Sequence, residues 1–350
     1  MKILVISDAN GLDGAQGSLR FATRYWKEQL GWEIDVFAPR GGDELAEETR
    51  HILTQAGMNP ITKLSQETPY KVVLVNSFLN IDYLDKIGNI PVVFWVHEAD
   101  TVLWAANITV PKMKQLFARP QKIIFSTPYQ AETVFRSFVY QIPLEQIAII
   151  PYGIEPVEIQ IQEKQNDGVL KLSWLGNVIA RKRPADLVNA VIGLQKEFPV
   201  TANFIGSLGD SYSLGQEFTD FINKPPEYIS WSGATTRPQA LEAVTQSDIY
   251  CQTSGDESFA LAPLEAAALG VPVILANLPV YQFVGWKHGE NCLLYTPGDV
   301  LALAQCIREL RNNPNLRISL ANKGRVLSQL HNGNLFLNRI TQVMSTWGVD

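Results

Sequence analysis

Short runs of Val, Ile and other apolar residues recur along the chain, and stretches of helical length separate them. The runs lack the polar alternation of a half-exposed strand, so they predict strands that are buried on both faces. Alternation of such strands with helices builds a parallel sheet that helices cover on both sides. In the first part of the chain, the runs predict strands at residues 2–7, 33–37, 71–76, 91–97, 122–126 and 148–155.

The same pattern starts again after a polar segment at residues 156–168. Apolar runs then predict strands at residues 169–176, 200–206, 228–231, 249–252, 273–275 and 292–295. We therefore predict two doubly wound, Rossmann-like α/β domains that face a cleft, at residues 1–155 and 169–333, with a linker at 156–168. Ligands of such sheets bind outside the carboxyl ends of the strands.

The last predicted helix, within residues 334–350, has apolar residues at helical spacing. We expect this helix to cross back to the first domain. A helix that caps the second domain would have the same spacing, so the pattern alone leaves both placements open.

Composition and charge limit the function classes. The 350 residues carry a formal charge of −6, which argues against nucleic acid as a partner because proteins that bind it present basic surfaces. Cys251, Cys292 and Cys306 are odd in number and lack metal-ligand spacing, which is typical of a reducing compartment. The first apolar run is too short for a signal peptide, and no window reaches the roughly 18 apolar residues of a membrane span. We therefore predict a cytoplasmic protein.

Peripheral contact with the inner face of the plasma membrane stays open. Residues 112–122 combine Lys and Arg with apolar residues. Such a segment can rest on an anionic membrane, but we favour a solvated amphipathic helix.

The segment from Ser254 to Ile274 carries the strongest chemical signal. Pro263 and Gly270 predict a helix that begins near residue 262 and ends at the glycine. Glu265 then lies on the first turn, and Glu257 lies in the preceding loop. Carboxylates in these places suit a ribose diol and sugar hydroxyls. A diphosphate would be bound at the positive end of the helix by the loop N–H groups of Ser258, Phe259, Ala260 and Leu261.

This segment resembles the E-x7-E region of family 4 of the retaining glycosyltransferases, which have the GT-B fold. The matching positions are Glu257, Phe259, Glu265, Ala266, Gly270, Pro272, Val273 and Ile274. Ser258 and Ala260 replace glycines of the family pattern, and both keep their backbone N–H. The resemblance implies that Glu265 holds the ribose and that Glu257 binds hydroxyls of the donor sugar.

The strand, loop and helix that open the second domain are also similar to those of the family. Gly176 and Lys182 match residues that contact the diphosphate there. Asn177 stands where an Arg is usual, so the resemblance leaves that contact to Arg181 or Arg183, whose guanidinium groups suit phosphate.

Other matches are shorter. Gly206 and Gly233 lie in segments that resemble the two turns beside the nucleobase. His97 ends an apolar run of the first domain, where the family often has a His that faces the donor sugar. Gly14 belongs to a Gly-rich loop at residues 10–18 that approaches the donor in the family. The resemblance thus implies catalytic roles for His97, Glu257 and Lys182, and donor binding by the other positions.

The resemblance implies a retaining glycosyltransferase that moves a sugar from a nucleoside diphosphate donor to a hydroxyl acceptor. By family frequency, the donor is UDP-glucose or a similar UDP-hexose, and the role is synthesis of bacterial exopolysaccharide or another glycan. No cofactor and no metal is expected, since the nucleotide sugar is a substrate and the chain has no Asp-x-Asp motif. The acceptor, a carbohydrate or a lipid-linked compound, has no motif of its own. Four aromatic residues are candidates for its groove or, equally, for the core: Phe94, Trp95, Trp104 and Tyr129.

Three other interpretations remain open. Glu257 and Glu265 would serve as acid and nucleophile of a glycoside hydrolase if their carboxyl groups stood about 5–9.5 Å apart. A UDP-sugar epimerase of the same fold would turn over the donor without an acceptor. A non-catalytic sugar-binding protein would bind free sugar and ignore UDP.

Overall fold

The computed structural model describes residues 1–7, 14–39, 46–65, 68–101, 109–156, 159, 167–208 and 223–347. The chain divides into two compact units. Unit 1 comprises Met1–Glu155 and Gly333–Asp350, and unit 2 comprises Pro156–Asn332. Trp104, much of the predicted Gly-rich loop before Gly14 and most of the predicted linker lie outside the described residues.

Unit 1 contains a parallel sheet. Its strands are β1 Lys2–Ile6, β2 Glu33–Phe37, β3 Asn59–Ile61, β4 Val72–Asn76, β5 Val92–Trp95, β6 Lys122–Phe125 and β7 Ile147–Ile149. They lie in the order β3-β2-β1-β4-β5-β6-β7, and all neighbours pair in parallel. The direction of strand addition reverses between β1 and β4, which makes the carboxyl edge there a ligand-binding position in sheets of this kind.

Unit 2 contains a second parallel sheet. Its strands are β8 Leu170–Leu175, β9 Val200–Ile205, β10 Ile229–Trp231, β11 Ile249–Gln252, β12 Val273–Ala276 and β13 Leu293–Tyr295. They lie in the order β10-β9-β8-β11-β12-β13, so the reversal falls between β8 and β11. The predicted pair of parallel-sheet α/β domains is confirmed.

The described α-helices are α1 Gly14–Leu30, α2 Glu47–Gln55, α3 Val110–Phe117, α4 Arg136–Val139, α5 Pro184–Leu194, α6 Arg237–Thr245, α7 Leu261–Ala268, α8 Pro279–Val284, α9 Val300–Asn312, α10 Pro314–Leu330 and α11 Gly333–Ser345. Helix α11 belongs to unit 1 and packs on α1. Trp26 Nε1 donates a hydrogen bond to Thr341 Oγ1 at 2.7 Å, and the rings of Phe21 and Phe336 stack at 6.2 Å.

Apolar strand residues form the centre of each unit. Ile3, Val5 and Val93 in unit 1 and Ile249 and Ile274 in unit 2 are fully buried. Strands covered on both faces require side chains of this kind at nearly every position, which explains the continuous apolar runs in the sequence.

Burial also settles two predictions about surfaces. Phe94 and Trp95 are fully buried, so they belong to the core and not to an acceptor groove, whereas Tyr129 is partly buried. On α3, Met113 and Phe117 pack into the core of unit 1, so the apolar side of this basic helix is already covered. Among the described residues, no helix combines the length and apolar character needed to span a bilayer.

Candidate active site

The carboxyl ends of β8, β9 and β10 bring three predicted glycines to one edge of the unit 2 sheet. The Gly206 N–H donates to the Gly233 carbonyl at 2.9 Å. A Cβ added to Gly206 would lie 2.0 Å from the Gly176 carbonyl oxygen, so the two turns meet only because Gly206 has no side chain. Asn177 Oδ1 accepts a hydrogen bond from Ser207 Oγ at 2.8 Å, which ties the first turn to the second. The predicted turns are therefore neighbours at the edge where ligands bind in such sheets.

Glu257 lies in the loop after β11, and only 6% of its side chain is exposed. Its carboxylate accepts hydrogen bonds from Lys182 Nζ, from Ser254 Oγ at 2.6 Å and from Arg181 Nη1 at 3.4 Å. Burial alone would raise the pKa of this carboxyl. The positive charges of Lys182 and Arg181, together with the hydrogen bonds, outweigh burial and hold the pKa of Glu257 below its ordinary value. The structure thus brings the predicted Lys182 and Glu257 into contact.

Main-chain contacts hold the cationic segment against this loop. The Gly255 N–H donates to the Arg181 carbonyl at 2.9 Å, and Thr253 Oγ1 donates to the Lys182 carbonyl at 2.8 Å. These two bonds tie the loops together, so the residues that carry the cations lie next to the loop that carries the carboxylate.

Arg183 points to a different partner. Its Nε and Nη2 donate to the two carboxylate oxygens of Asp186 at 2.8 and 3.1 Å. A Cβ added to Gly298 would lie 2.7 Å from Nη2, so the guanidinium also packs closely on that glycine. Of the two arginines that the sequence offered for a phosphate contact, Arg181 lies beside Glu257 and Arg183 is bonded to Asp186.

The predicted amide loop, residues 258–261, leads directly into α7. Phe259 is buried, and its ring meets the His331 ring edge-on at 5.4 Å, which anchors the loop. Ala260 has φ 67° and ψ 96°, a conformation that glycine adopts more easily. Ala260, the residue before α7, makes no side-chain capping bond, and the first N–H groups of a helix lack partners within the helix, an arrangement that suits an anion.

Glu265 lies on the second turn of α7, because the helix begins at Leu261; the predicted position on the first turn is wrong by about one residue. Its Oε1 accepts a hydrogen bond from Arg237 Nε at 2.8 Å. Arg237 is the first residue of α6, whose start is fixed by a capping box between Thr236 and Gln239. The sequence interpretation missed Arg237, although the Thr-x-x-Gln pattern after the Gly233 turn predicts a helix start there.

In unit 1, His97 follows β5 and is buried. Its Nδ1 is hydrogen-bonded to the Tyr152 hydroxyl, and its Nε2 to Asn76 Oδ1. Asn76 Nδ2 donates to Ser7 Oγ at 3.1 Å, and Ser7 Oγ donates to Gln16 Oε1 at 3.0 Å. One proton arrangement satisfies the whole chain: the Tyr152 hydroxyl donates to Nδ1, and Nε2–H donates to Asn76. Burial lowers the pKa of His97 to about 3, so the ring is neutral at physiological pH.

Both ring nitrogens of His97 are thus bonded within unit 1, and its predicted contact with a donor sugar stays a prediction. Gly14, the other candidate of this unit, is the exposed first residue of α1, and its carbonyl accepts a hydrogen bond from Ser18 Oγ at 2.9 Å. Within the described residues, no group of three His, Cys, Asp or Glu side chains could hold a metal ion. Cys251, Cys292 and Cys306 are free thiols in buried positions.

Residues 158–326 match the family model described as Glycosyl transferases group 1. This part of the chain is similar to the glycosyltransferases of that group. The predicted resemblance to glycosyltransferases is confirmed, and the matched segment coincides with most of unit 2.

Curated relatives are glycosyltransferases as well. The chain is 27% identical over 167 residues to a phosphatidyl-myo-inositol mannosyltransferase of Mycobacterium leprae, and this match covers 47% of this chain and 43% of that protein. It is 24% identical over 155 residues to the capsular polysaccharide biosynthesis glycosyltransferase CapM of Staphylococcus aureus, and this match covers 44% of this chain and 40% of that protein. The matches therefore span less than half the length of these relatives.

Solved structures share the fold over nearly the whole chain. The Anabaena protein Alr3699/HepE in complex with UDP and glucose has a TM-score of 0.77 at 16% identity, and the match covers 99% of this chain and 100% of that one. Sucrose-phosphate synthase from Thermosynechococcus elongatus has a TM-score of 0.77 at 19% identity, with 98% of each chain covered. At these identities the likeness shows the fold alone, which is the predicted GT-B fold.

Proposed function

We propose that the chain is a retaining glycosyltransferase that transfers a hexose from a UDP-hexose, such as UDP-glucose, to a hydroxyl group of an acceptor. The observation that carries the proposal is the buried Glu257 carboxylate, bonded to Lys182 and Arg181 beside the start of α7. The group 1 glycosyltransferase domain supports it, as do neighbours of the same fold that bind UDP with a sugar.

Two cations and several amides would stabilise the leaving group. Glycosyl transfer passes through an oxocarbenium-like transition state while negative charge builds on the leaving diphosphate. We propose that this negative charge is stabilised by the Lys182 ammonium, the Arg181 guanidinium and the N–H groups of residues 258–261. A dipole at the start of α7 adds to them.

Retention would follow from attack on the face that the diphosphate leaves. The bond between the anomeric carbon and the phosphate oxygen breaks, and its electron pair stays on the phosphate. The acceptor oxygen forms the new bond to the anomeric carbon and passes its proton to that phosphate oxygen. This route needs no carboxylate nucleophile, no cofactor and no metal.

The carboxylates take the neutral parts of the donor. Glu257 would bind hydroxyls of the donor sugar, and Glu265 would bind the ribose hydroxyls. The turns at Gly176, Gly206 and Gly233 would let the donor approach the main chain closely. The resemblance adds five further parts to the proposal. His97 would contact the donor sugar, and Gly14 would contact the donor. The acceptor would be a carbohydrate or a lipid-linked compound, and the protein would act in exopolysaccharide synthesis at the membrane.

A glycoside hydrolase fits the carboxylates less well. Such an enzyme needs one carboxyl that stays protonated until it donates to the leaving group, which requires a raised pKa. The pKa of Glu257 is instead held low by Lys182 and Arg181, and Glu265 is paired with Arg237. Glu257 therefore does not have the surroundings of a general acid, and Glu265 has a guanidinium as its partner.

Calorimetric titration with UDP, GDP, ADP and UDP-glucose in EDTA tests the donor site. We expect UDP to bind without added metal and Glu265→Gln to weaken UDP binding about tenfold, because a charged acceptor of ribose hydroxyls is lost. Glu290→Gln is the matched control, since Glu290 lies in the same unit and pairs with Lys287 at 3.7 Å on the surface.

Three results would contradict the proposal. Failure of the wild-type protein to bind any nucleotide would remove the donor site. Release of sugar from oligosaccharides without a nucleotide would indicate a hydrolase. Conversion of a UDP-sugar into its epimer without an acceptor would indicate an epimerase.

A further inference from the structure

The two carboxylates of the site do not share their cations. Glu257 is bonded to Lys182 and Arg181. Glu265 is bonded in the described part of the chain to Arg237 alone, through Oε1 at 2.8 Å. Loss of Arg237 would therefore leave Glu265 without a partner, whereas Glu257 would keep both of its cations.

The pair is partly shielded from water. Glu265 has 12% of its side chain exposed, and Arg237 has 31%. Burial raises the pKa of Tyr250 well above its ordinary value, and the negative charges of Glu257 and Glu265 add to that shift. Both carboxylates thus act on the same buried ring, and Arg237 is paired with the carboxylate of Glu265.

Arg237 holds one oxygen of Glu265 and leaves the other open. A glutamate side chain has three rotatable bonds, and fixing them for a ligand costs conformational entropy. A hydrogen bond from Nε to Oε1 fixes them beforehand and leaves Oε2 to accept from a ligand hydroxyl. The backbone of Arg237 is fixed in turn by the capping box that starts α6.

We propose that Arg237 is a positioning residue for nucleoside recognition, which holds the Glu265 carboxylate in the orientation that accepts hydrogen bonds from ribose hydroxyls. The ligand class that this pair selects is the ribonucleoside diphosphate over its deoxy analogues. This inference rests on the proposed function, in which Glu265 binds the ribose of a UDP-sugar.

Titrations with UDP and with 2′,3′-dideoxyuridine diphosphate test it on the full chain. We expect the wild type to prefer UDP, and Arg237→Gln to bind UDP about tenfold more weakly while its affinity for the dideoxy compound changes less than about twofold. Arg237→Lys should recover part of the loss, because an ammonium can still pair with Oε1. In a Glu265→Gln background, Arg237→Gln should have no further effect.

Arg308→Gln is the matched control. Arg308 lies in the same unit, has the same 31% exposure and pairs with Glu197 at 2.7 Å. We expect it to leave the affinities for both nucleotides unchanged. Thermal unfolding of each variant, followed by circular dichroism, shows whether unit 2 is intact. If Arg237→Gln does not fold, Arg237→Lys carries the test, because it should bind UDP more weakly than the wild type while its affinity for the dideoxy compound changes less than about twofold.

The outcomes separate this inference from the proposed function. If the wild type binds no UDP, the proposed function fails. If the wild type binds UDP and Arg237→Gln binds it equally well, the positioning role is overturned. Equal weakening toward both nucleotides also overturns it, because Arg237 would then contact the base or the phosphates directly. A wild type that does not distinguish the two nucleotides overturns the ribose role of Glu265.

Discussion

Unit 1 should lose stability in mild acid because of His97. Burial lowers the pKa of this ring from 6.5 to about 3, so the folded protein keeps it neutral while the unfolded chain takes up a proton below about pH 6.5. The stabilisation is therefore complete above the unfolded pKa and decreases as the pH falls from 6.5 toward 3. Each pH unit in this range contributes about 1.4 kcal/mol, so lowering the pH from 7 to 5 should remove about 2 kcal/mol.

Hydrogen exchange of peptides from β4 and β5 measures this loss within unit 1. His97→Gln lowers stability at both pH values, because it disturbs the bonds to Tyr152 and Asn76. It should nevertheless lose about 2 kcal/mol less than the wild type between pH 7 and pH 5, a relative change of about 30-fold in protection. Glu98, whose own buried carboxyl has a raised pKa, is present in both proteins and cancels in the comparison. His51→Gln, at an exposed position of the same unit, is the control. Equal acid sensitivity of wild type and His97→Gln would refute a neutral, buried His97.

Two glycine-dependent features of unit 2 give further predictions, both measured by thermal unfolding. Ala260→Gly should raise the stability of unit 2 by about 1 kcal/mol. Relief of the positive φ is worth about 1–3 kcal/mol, which exceeds the cost of the added unfolded-state entropy of glycine. An unchanged or lower unfolding midpoint would show that Ala260 is not strained. Gly206→Ala should destabilise unit 2 by more than about 3 kcal/mol, because its Cβ would lie 2.0 Å from the Gly176 oxygen. Gly193→Ala is the control, because Gly193 lies in α5 with no atom within 4 Å of the added Cβ. This change should be neutral or stabilising by about 0.5–1 kcal/mol. Equal effects of Gly206→Ala and Gly193→Ala would contradict the close approach of the turns.

The two sheets were predictable because their central strands are buried on both faces. A central parallel strand needs apolar side chains throughout, and this need is visible as an uninterrupted run in the sequence. Strand β3 was missed for the opposite reason. It is three residues long, lies at the edge of the sheet and contains Pro60, so it has neither the length nor the composition of a central strand.

The sequence was enough to predict which loops form the candidate site, but not which side chains in those loops are hydrogen-bonded to each other. Strand order places the loops after β8, β9, β10 and β11 at one edge, which the alternating pattern already implies. Partner choice depends on side-chain directions that spacing does not encode. Arg181 and Arg183 are equivalent in a sequence, yet one lies beside Glu257 and the other is bonded to Asp186. Arg237 lay outside the motif, because a helix start 28 residues before Glu265 has no spacing that links the two.

Backbone strain occurs at the carboxyl edges of the two sheets, where the sequence pattern did not predict which side chains pair. Among the described residues, the non-glycine residues with positive φ are Ser77, Arg183 and Ala260. Ser77 follows β4, Arg183 stands between β8 and α5, and Ala260 stands between β11 and α7. Each of them lies where a strand of a parallel sheet passes into a helix at the carboxyl edge, and the helix after Ser77 is the 3-10 helix Phe78–Lys86. A conformation of this kind costs about 1–3 kcal/mol and persists only where surrounding contacts determine it. Asp186 on Arg183 and the buried ring of Phe259 beside Ala260 are such contacts, so the packed core of unit 2 holds its strained turns at the edge where the donor would bind.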